Sequence, residues 1–345
     1  MGILSFKRDK LSIGLDLGER WIKLVQLRGI NGTIKLNRIG RCLLTKEELE
    51  EKAKTRQKIN LLFTSHKIKQ KNVNVSLAGH SVITKRIKLP HNLSEKTDYH
   101  EIIKKHAREH IPFDLDNVYM DYCLLKNNEY FLVASKKEVV KDVIDLIEGG
   151  NLIIEAIDID GFALSNCFEF NYPEYAQKTC YLIDIGSKST IFCVYSKGEP
   201  LFIRDINIGG NQLINTVKEV VGLNFQECEK AVFNSFSEFN GKERVILSQK
   251  IEELYLKWID EIQPSIFFHE SNYGDEKVEH IFLSGGGSLS QNLKEVFEEH
   301  LEKEIHYINP FKNINISVND FDMEYLKSIG PQFVIATGLA LRNLV

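Results

Sequence analysis

Nothing in this sequence approaches the roughly 18 consecutive apolar residues of a spanning helix, which sets aside an integral helical membrane protein. A basic excess is missing too: 44 Lys and Arg face 48 Asp and Glu, a formal net charge of −4. Nucleic-acid backbones are held by clustered Lys and Arg, so nucleic acid is excluded as the main partner. The cysteines Cys42, Cys123, Cys167, Cys180, Cys193 and Cys228 include no C-x-x-C pair. They offer no thiolate metal motif or dithiol site, and are expected as reduced core residues. Neither a P-loop nor a nucleophile elbow occurs. The start Met1-Gly2-Ile3-Leu4-Ser5-Phe6 carries Phe6 where myristoylation needs Ser or Thr, and it lacks a signal-peptide apolar core. A cytoplasmic chain is expected, with residues 1–10 as an N-terminal tail whose few apolar residues would touch a membrane only weakly.

What is present is a repeat. Ile13-Gly14-Leu15-Asp16-Leu17-Gly18, a short turn, and Ile22-Lys23-Leu24-Val25 read as strand, turn, strand. Tyr181-Leu182-Ile183-Asp184-Ile185-Gly186, a turn, and Ile191-Phe192-Cys193-Val194 read the same way. Asp16 aligns with Asp184 and Gly18 with Gly186 at one offset. Two copies of one hairpin predict two similarly built halves facing each other, consistent with 345 residues and a prior of about 150 per domain.

Between the copies, residues 95–110 read as a helix ended by Ile111-Pro112, followed by strands at 118–125 and 130–134. A helix over 137–148 then stops at Gly149-Gly150. This α-β-β-α block looks like an insertion in the first half. Polar residues 171–179 read as the inter-domain connection. In the second half, 243–273 is mostly helical, Ile281-Phe282-Leu283 is a strand, and 289–301 is a helix. Residues 309–330 read as irregular and 331–344 as helical.

Asp16 and Asp184 each stand between strand residues and a glycine. If the halves face each other, both carboxylates enter one cleft, where hard oxygen ligands suit a hydrated Mg²⁺. The hairpin glycines bring bare backbone N–H groups toward a phosphate. Gly285, Gly286 and Gly287, between a strand and a helix, leave room for a nucleotide. Each short motif alone is ordinarily a turn or a flexible loop; their joint order carries the inference. His106 and His110 are spaced i, i+4 and could reach one metal, but no third ligand is evident, and charged neighbours make a solvated helix face the expectation.

That order, two Asp-x-Gly hairpins and a late Ser-Gly-Gly-Gly, resembles the actin-like ATPase superfamily, and within it the PilM family of type IV pilus assembly. The resemblance is carried by His110-Ile111-Pro112-Phe113 leading to Met120-Asp121-Tyr122, by 132–140, and by Asp158-Ile159-Asp160-Gly161-Phe162-Ala163-Leu164. Phe202-Ile203-Arg204-Asp205-Ile206 before Gly209-Gly210, and Ala336-Thr337-Gly338-Leu339-Ala340-Leu341, also carry it. It spans about Leu11 to Leu344. It implies an α/β actin-like ATPase fold, with two RNase H-like domains facing a nucleotide cleft and the α-β-β-α block inserted. The implied units are 11–82 with 149–176 (1A), 83–148 (1C), 177–225 with 278–345 (2A), and the mainly helical 226–277 (2B).

The resemblance also implies roles. Asp16, Gly18 and Lys23 match the first phosphate hairpin, and Asp184, Gly186, Ser187, Lys188, Ser189 and Thr190 the second. Ser284, Gly285, Gly286 and Gly287 match the adenosine loop, Gly209 and Gly210 a turn near the nucleotide, and Glu229 a ribose contact. Asp160 stands where a residue positioning water or metal is usual, making it the catalytic candidate. ATP and Mg²⁺ are the implied cofactors, with Asp16 and Asp184 holding the metal through water. One departure is Glu19-Arg20-Trp21, where small hydroxyl residues are usual. Either this loop binds through backbone N–H groups, or nucleotide affinity and hydrolysis are weak or lost. The implied partner is the cytoplasmic N-terminal peptide of a PilN-like inner-membrane protein, together with other pilus platform proteins, and the chain would be peripheral at the inner-membrane face. An alternative is an FtsA-like membrane-associated filament ATPase. Such proteins usually end in an amphipathic helix, whereas this chain ends at Val345 just past the last expected core helix. A small-molecule kinase or phosphatase on the same fold rests on analogy alone.

Overall fold

The computed structural model describes residues 9–78, 81–88, 99–111, 114–125, 129–233, 236, 239–274 and 277–345. The tail residues 1–8, Pro112, Phe113 and the start of the expected 95–110 helix lie outside them, as does the His110 side chain.

The first half begins with β1 (Lys10–Leu17), β2 (Trp21–Ile30) and β3 (Thr33–Leu43), an antiparallel meander. Its β2–β3 turn is Asn31-Gly32, both at positive φ, the geometry that matches strand twist in a two-residue hairpin. Helices α1 (Lys46–Glu50) and α2 (Lys52–Ser65) lead to β4 (Asn72–Leu77). The insert holds β5 (Val82–Lys88), α3 (Tyr99–His110), β6 (Val118–Leu124), β7 (Glu129–Lys136) and α4 (Lys137–Glu148). The chain then returns through β8 (Ile153–Ile159) into α5 (Asp160–Asn171). The resulting sheet runs β3-β2-β1-β4-β8, with β4 parallel to both neighbours.

The second half repeats this plan. Strands β9 (Thr179–Ile185), β10 (Thr190–Ser196) and β11 (Glu199–Ile206) form the meander, again with a positive-φ pair, Lys197-Gly198, at the second turn. Helices α6 (Gly210–Val221), α7 (Phe225–Phe233) and α8 (Gly241–Tyr273) follow. Then come β12 (His280–Ser284), α9 (Leu293–Leu301), β13 (Glu304–Tyr307), α10 (Met323–Ile329) and α11 (Val334–Leu341). The sheet order is β11-β10-β9-β12-β13, element for element that of the first half.

Apolar faces decide the stacking. One face of the first sheet buries Ile13, Leu15 and Leu24 against Ile59 and Phe63 of α2. Its other face packs Val25 and Leu27 on Ala336 and Ala340 of α11. One face of the second sheet packs Leu182, Cys193 and Phe282 on Leu164 and Phe168 of α5 and on Leu339 of α11. Its far face carries α6, α8 and α9 around Trp258 and Phe297. Helices α5 and α11 thus form a central layer between the two sheets, a helix–sheet–helix–sheet–helix order.

Three features depart from the expectations. The insert is β-α-β-β-α: β5 pairs with β7 to give a three-stranded sheet, β5-β7-β6, over which Ile103 and Ala107 of α3 are buried. The 309–330 segment holds α10, whose first turn is capped by the Asp322 carboxylate accepting from the Glu324 and Tyr325 N–H groups. Of the cysteines, Cys123 is exposed and Cys42 half-buried; the other four lie in the core.

Candidate functional site

Both hairpins end at one cleft. Asp16 lies near the end of β1 and pairs in register with Lys23 on β2, whose Nζ donates to Asp16 Oδ2 at 2.7 Å. Asp184 takes the same place on β9, and its Oδ2 accepts from the Ser284 hydroxyl at 2.7 Å. Asp160 opens α5 directly after β8 and accepts from the Ser76 hydroxyl of β4. Burial pulls Lys23 down, but Asp16, Asp184 and Asp160 together outweigh it and hold the ammonium above its ordinary range. Burial pushes Asp184 up to about 6, despite the Ser284 hydrogen bond and the field of Lys23. Asp160 is raised well above the carboxylate range by burial and then by the charge of Asp16. The cleft floor is therefore one buried cation among three acids, two of which burial holds above the ordinary carboxylate range.

The glycines explain how backbone reaches this floor. A Cβ on Gly18 would stand 2.7 Å from the Trp21 carbonyl oxygen, and one on Gly186 2.8 Å from that of Ser189. The two hairpins thus close through the same contact three residues on. Gly285 has φ +82°, and a Cβ there would overlap the Ile185 carbonyl, so only glycine serves. The start of α6 is stitched to the second hairpin: Gly210 N–H donates to Gly186 O at 2.9 Å and Asn211 N–H to Ser187 O at 2.8 Å.

The residues that looked like a departure have partners far along the chain. Arg20 makes a forked pair with Glu229 of α7, with Nη2 2.8 Å from Oε2 and Nε 3.2 Å from Oε1. Its guanidinium also lies 4.7 Å from the Phe225 ring centroid and donates to Leu44 O. Glu19 accepts from Lys188 of the second hairpin at 3.1 Å. Trp21 stacks under Arg41, 4.6 Å from guanidinium to ring. Glu19 and Arg20 therefore bridge the two halves across the mouth of the cleft.

The cavity so enclosed has a volume of about 970 Å³, large enough for a nucleotide-sized ligand. Asp16, Gly18, Lys23, Asp160, Asp184, Gly186, Ser187, Lys188, Ser189, Gly210, Glu229, Gly285, Gly286 and Gly287 all line it. Thr190, Gly209 and Ser284 sit one layer behind. The Thr190 hydroxyl donates to Ile208 O, Ser284 to Asp184, and Gly209 packs on the Ser187–Lys188 backbone. Ser76, Asn211 and Gln332 also line the cavity and carry no motif that sequence reasoning could have caught. Asn211 Oδ1 is buried with no hydrogen-bond partner, an acceptor available to a donor in the cleft.

A family model described as type IV pilus assembly protein PilM matches residues 14–344. A solved structure titled as the PilM-PilN type IV pilus biogenesis complex superposes with TM-score 0.86 at 22% identity, covering 97% of this chain and 98% of that one. The ethanolamine utilization protein EutJ of Carboxydothermus hydrogenoformans gives 0.58 at 15% identity, covering 98% and 92%. Component A of (R)-2-hydroxyglutaryl-CoA dehydratase from Acidaminococcus fermentans gives 0.50 at 10%, covering 96% of each. The fold is the α/β actin-like ATPase fold, and among the described residues no helix is long and apolar enough to cross a membrane. With nearly its whole length matched by that family model, the chain belongs to the PilM family of type IV pilus assembly proteins.

Proposed function

We propose that this protein is an adaptor of the pilus assembly platform that binds the cytoplasmic N-terminal peptide of a PilN-like inner-membrane protein, and that its cleft takes Mg-ATP. The observation that carries the adaptor reading is family membership over 14–344, with a backbone that follows the PilM-PilN complex over 97% of the chain. The protein would then sit at the cytoplasmic face of the inner membrane through its partner. The insert is the proposed docking unit. A second cavity of about 330 Å³ opens between β5 residues Val82–Lys85, the start of α5, and Phe202–Asp205 of β11. An extended peptide binds through backbone pairing and side-chain pockets, and this cavity lies where the insert meets the two halves. Co-purification with the partner's N-terminal segment tests this: deletion of that segment abolishes capture, and capture that survives the deletion contradicts it.

The cleft fits a magnesium nucleotide in donor chemistry. Asp16 and Asp184 would hold the metal through water, and Lys23 would face the phosphates. The backbone of Gly186–Ser189 and of Gly210 would cradle the phosphates beside it, with Thr190 and Gly209 supporting it from behind. Gly285–Gly287 would face the adenosine, with Ser284 behind them holding Asp184 and the unpartnered Asn211 Oδ1 as a further acceptor. Glu229 would reach a ribose by giving up Arg20. Asp160, which accepts from the Ser76 hydroxyl, would orient a water. The metal would supply charge neutralisation at the phosphates. The units 1A, 1C, 2A and 2B are proposed with the boundaries expected from the sequence.

A further inference from the structure

We propose that His280, Glu304 and His306 form a site for a divalent transition ion of the zinc type on the outer edge of the second sheet. Strands β12 and β13 run parallel with His280 opposite Glu304 and Phe282 opposite His306. Alternation therefore places both histidines and the glutamate on one face. Their donor atoms converge: His280 Nδ1 is 3.3 Å from Glu304 Oε2, His306 Nε2 is 3.3 Å from Glu304 Oε1, and the two ring nitrogens are 3.4 Å apart.

The magnitudes discriminate between the two ways such a cluster can exist. Charge-assisted hydrogen bonds run at about 2.7–2.9 Å, and N–H···N at 3.4 Å is past the ordinary range, so none of these contacts is a good hydrogen bond. Donors about 2.0–2.1 Å from one tetrahedral ion stand about 3.3–3.4 Å from each other; the two ring nitrogens stand at that separation, and each has a different oxygen of the Glu304 carboxylate at it, Oε2 for His280 and Oε1 for His306. The rings are held from behind. His280 meets the Tyr175 ring edge-on at 5.2 Å, and His306 packs on Phe282 at 5.1 Å. Two imidazoles and one carboxylate suit zinc or its neighbours rather than Mg²⁺, which prefers all-oxygen shells. The Glu304 side chain is 61% exposed, against 16% for His280, so the cluster opens to solvent on the glutamate side. His280 begins β12 and Ser284, which holds Asp184, ends it, so the site is apart from the cleft. A bound ion would clip the edge strand β13 to β12.

The test uses the full chain, stripped with a chelator and titrated with Co²⁺. One equivalent is expected to give the visible absorption of tetrahedral cobalt, reversed by Zn²⁺ and untouched by excess Mg²⁺. His306→Ala and Glu304→Gln should each weaken binding by more than about tenfold, a larger effect than loss of an outer-shell partner commonly gives at its lower end. Asp184→Asn and the exposed His300→Ala should leave it unchanged. Glu304→Gln changes an exposed side chain without changing its size, so it reads the site even if an alanine variant fails to fold. Absence of saturable binding at one equivalent overturns the proposal. So does binding that survives both site variants, or binding abolished by Asp184→Asn.

Discussion

Asp184 is an acid whose surroundings oppose its charge. Its carboxyl titrates at about 6 in the folded chain, against an ordinary value of about 3.9, because burial outweighs Ser284 and Lys23. Between roughly pH 4 and 6 the folded state therefore holds a proton that the unfolded chain has lost, and stability falls as pH rises through that window. Replacing Asp184 with Asn removes this dependence. Denaturant unfolding should show the variant gaining on the natural protein by about 2–3 kcal/mol between pH 4 and pH 7; a gap independent of pH would contradict the assignment. The same titration bears on the proposed cation site, since a protonated Asp184 cannot serve a metal. Affinity for Mg-nucleotide, read by fluorescence of a labelled analogue, should fall as pH drops through about 6. At this scale the sequence was informative wherever the repeat reached: Asp16 and Asp184, and Gly18 and Gly186, were legible as copies of one pattern, whereas Lys23 has no counterpart in the second hairpin and came from the family resemblance. Glu19 and Arg20 were visible only as misfits, because their partners Lys188 and Glu229 lie 169 and 209 residues away.

Helix α11 is buried along its whole length and is met closely by backbone on two sides. Gly338 abuts the backbone of Ala163 in α5, and Gly14 of β1 abuts the backbone of Ala336 and the N–H of Ala340. A methyl group at either place would overlap main-chain atoms, which cannot rotate away. Gly338→Ala should therefore cost about 3 kcal/mol or more in urea unfolding, at or above the upper end of overpacking effects. Gly32, at φ +79° in open space, carries only conformational strain, and Gly32→Ala should cost about 1–2 kcal/mol. Equal effects would mean that α5 and α11 separate easily. Helix α4, stopped by Gly149-Gly150, was legible to the residue. Strand β5 was not: Val82-Ile83-Thr84-Lys85-Arg86-Ile87-Lys88 is basic, with only Ile87 fully buried, so no clean alternation marks it. Its Arg86 is held by Glu129 of β7 and by Glu199 of β11, a long-range pairing that local pattern does not reveal. Helix α10 was hidden by its Asn- and Asp-rich approach, although Asp322 there is the cap that starts it.

At the level of the whole molecule, the two halves meet through α5 and α11 at the centre and through two ion pairs at the cleft mouth. These pairs differ in kind. Arg20 and Glu229 are about 85% buried and forked; Glu19 and Lys188 are about half exposed. A double-mutant cycle on Arg20 and Glu229 should return a coupling of about 1–3 kcal/mol, and one on Glu19 and Lys188 less than about 1 kcal/mol. Equal couplings would contradict a cleft held mainly by Arg20. Because Glu229 is also the proposed ribose contact, Arg20→Ala should change Mg-nucleotide affinity, whereas Lys46→Ala, far out on α1, should not. The halves themselves were legible from two hairpins at one offset, since a repeated Asp-x-Gly turn needs only local sequence. Their closure was not, because it rests on pairs between residues of different halves.

The adaptor reading is tested most directly by calorimetric titration of the full chain with the cytoplasmic N-terminal peptide of its PilN-like partner, with and without Mg-ATP. Saturation near one peptide per chain, with affinity shifted by nucleotide or by Arg20→Ala, is the predicted result. An absence of heat and of saturation under both conditions would contradict the account.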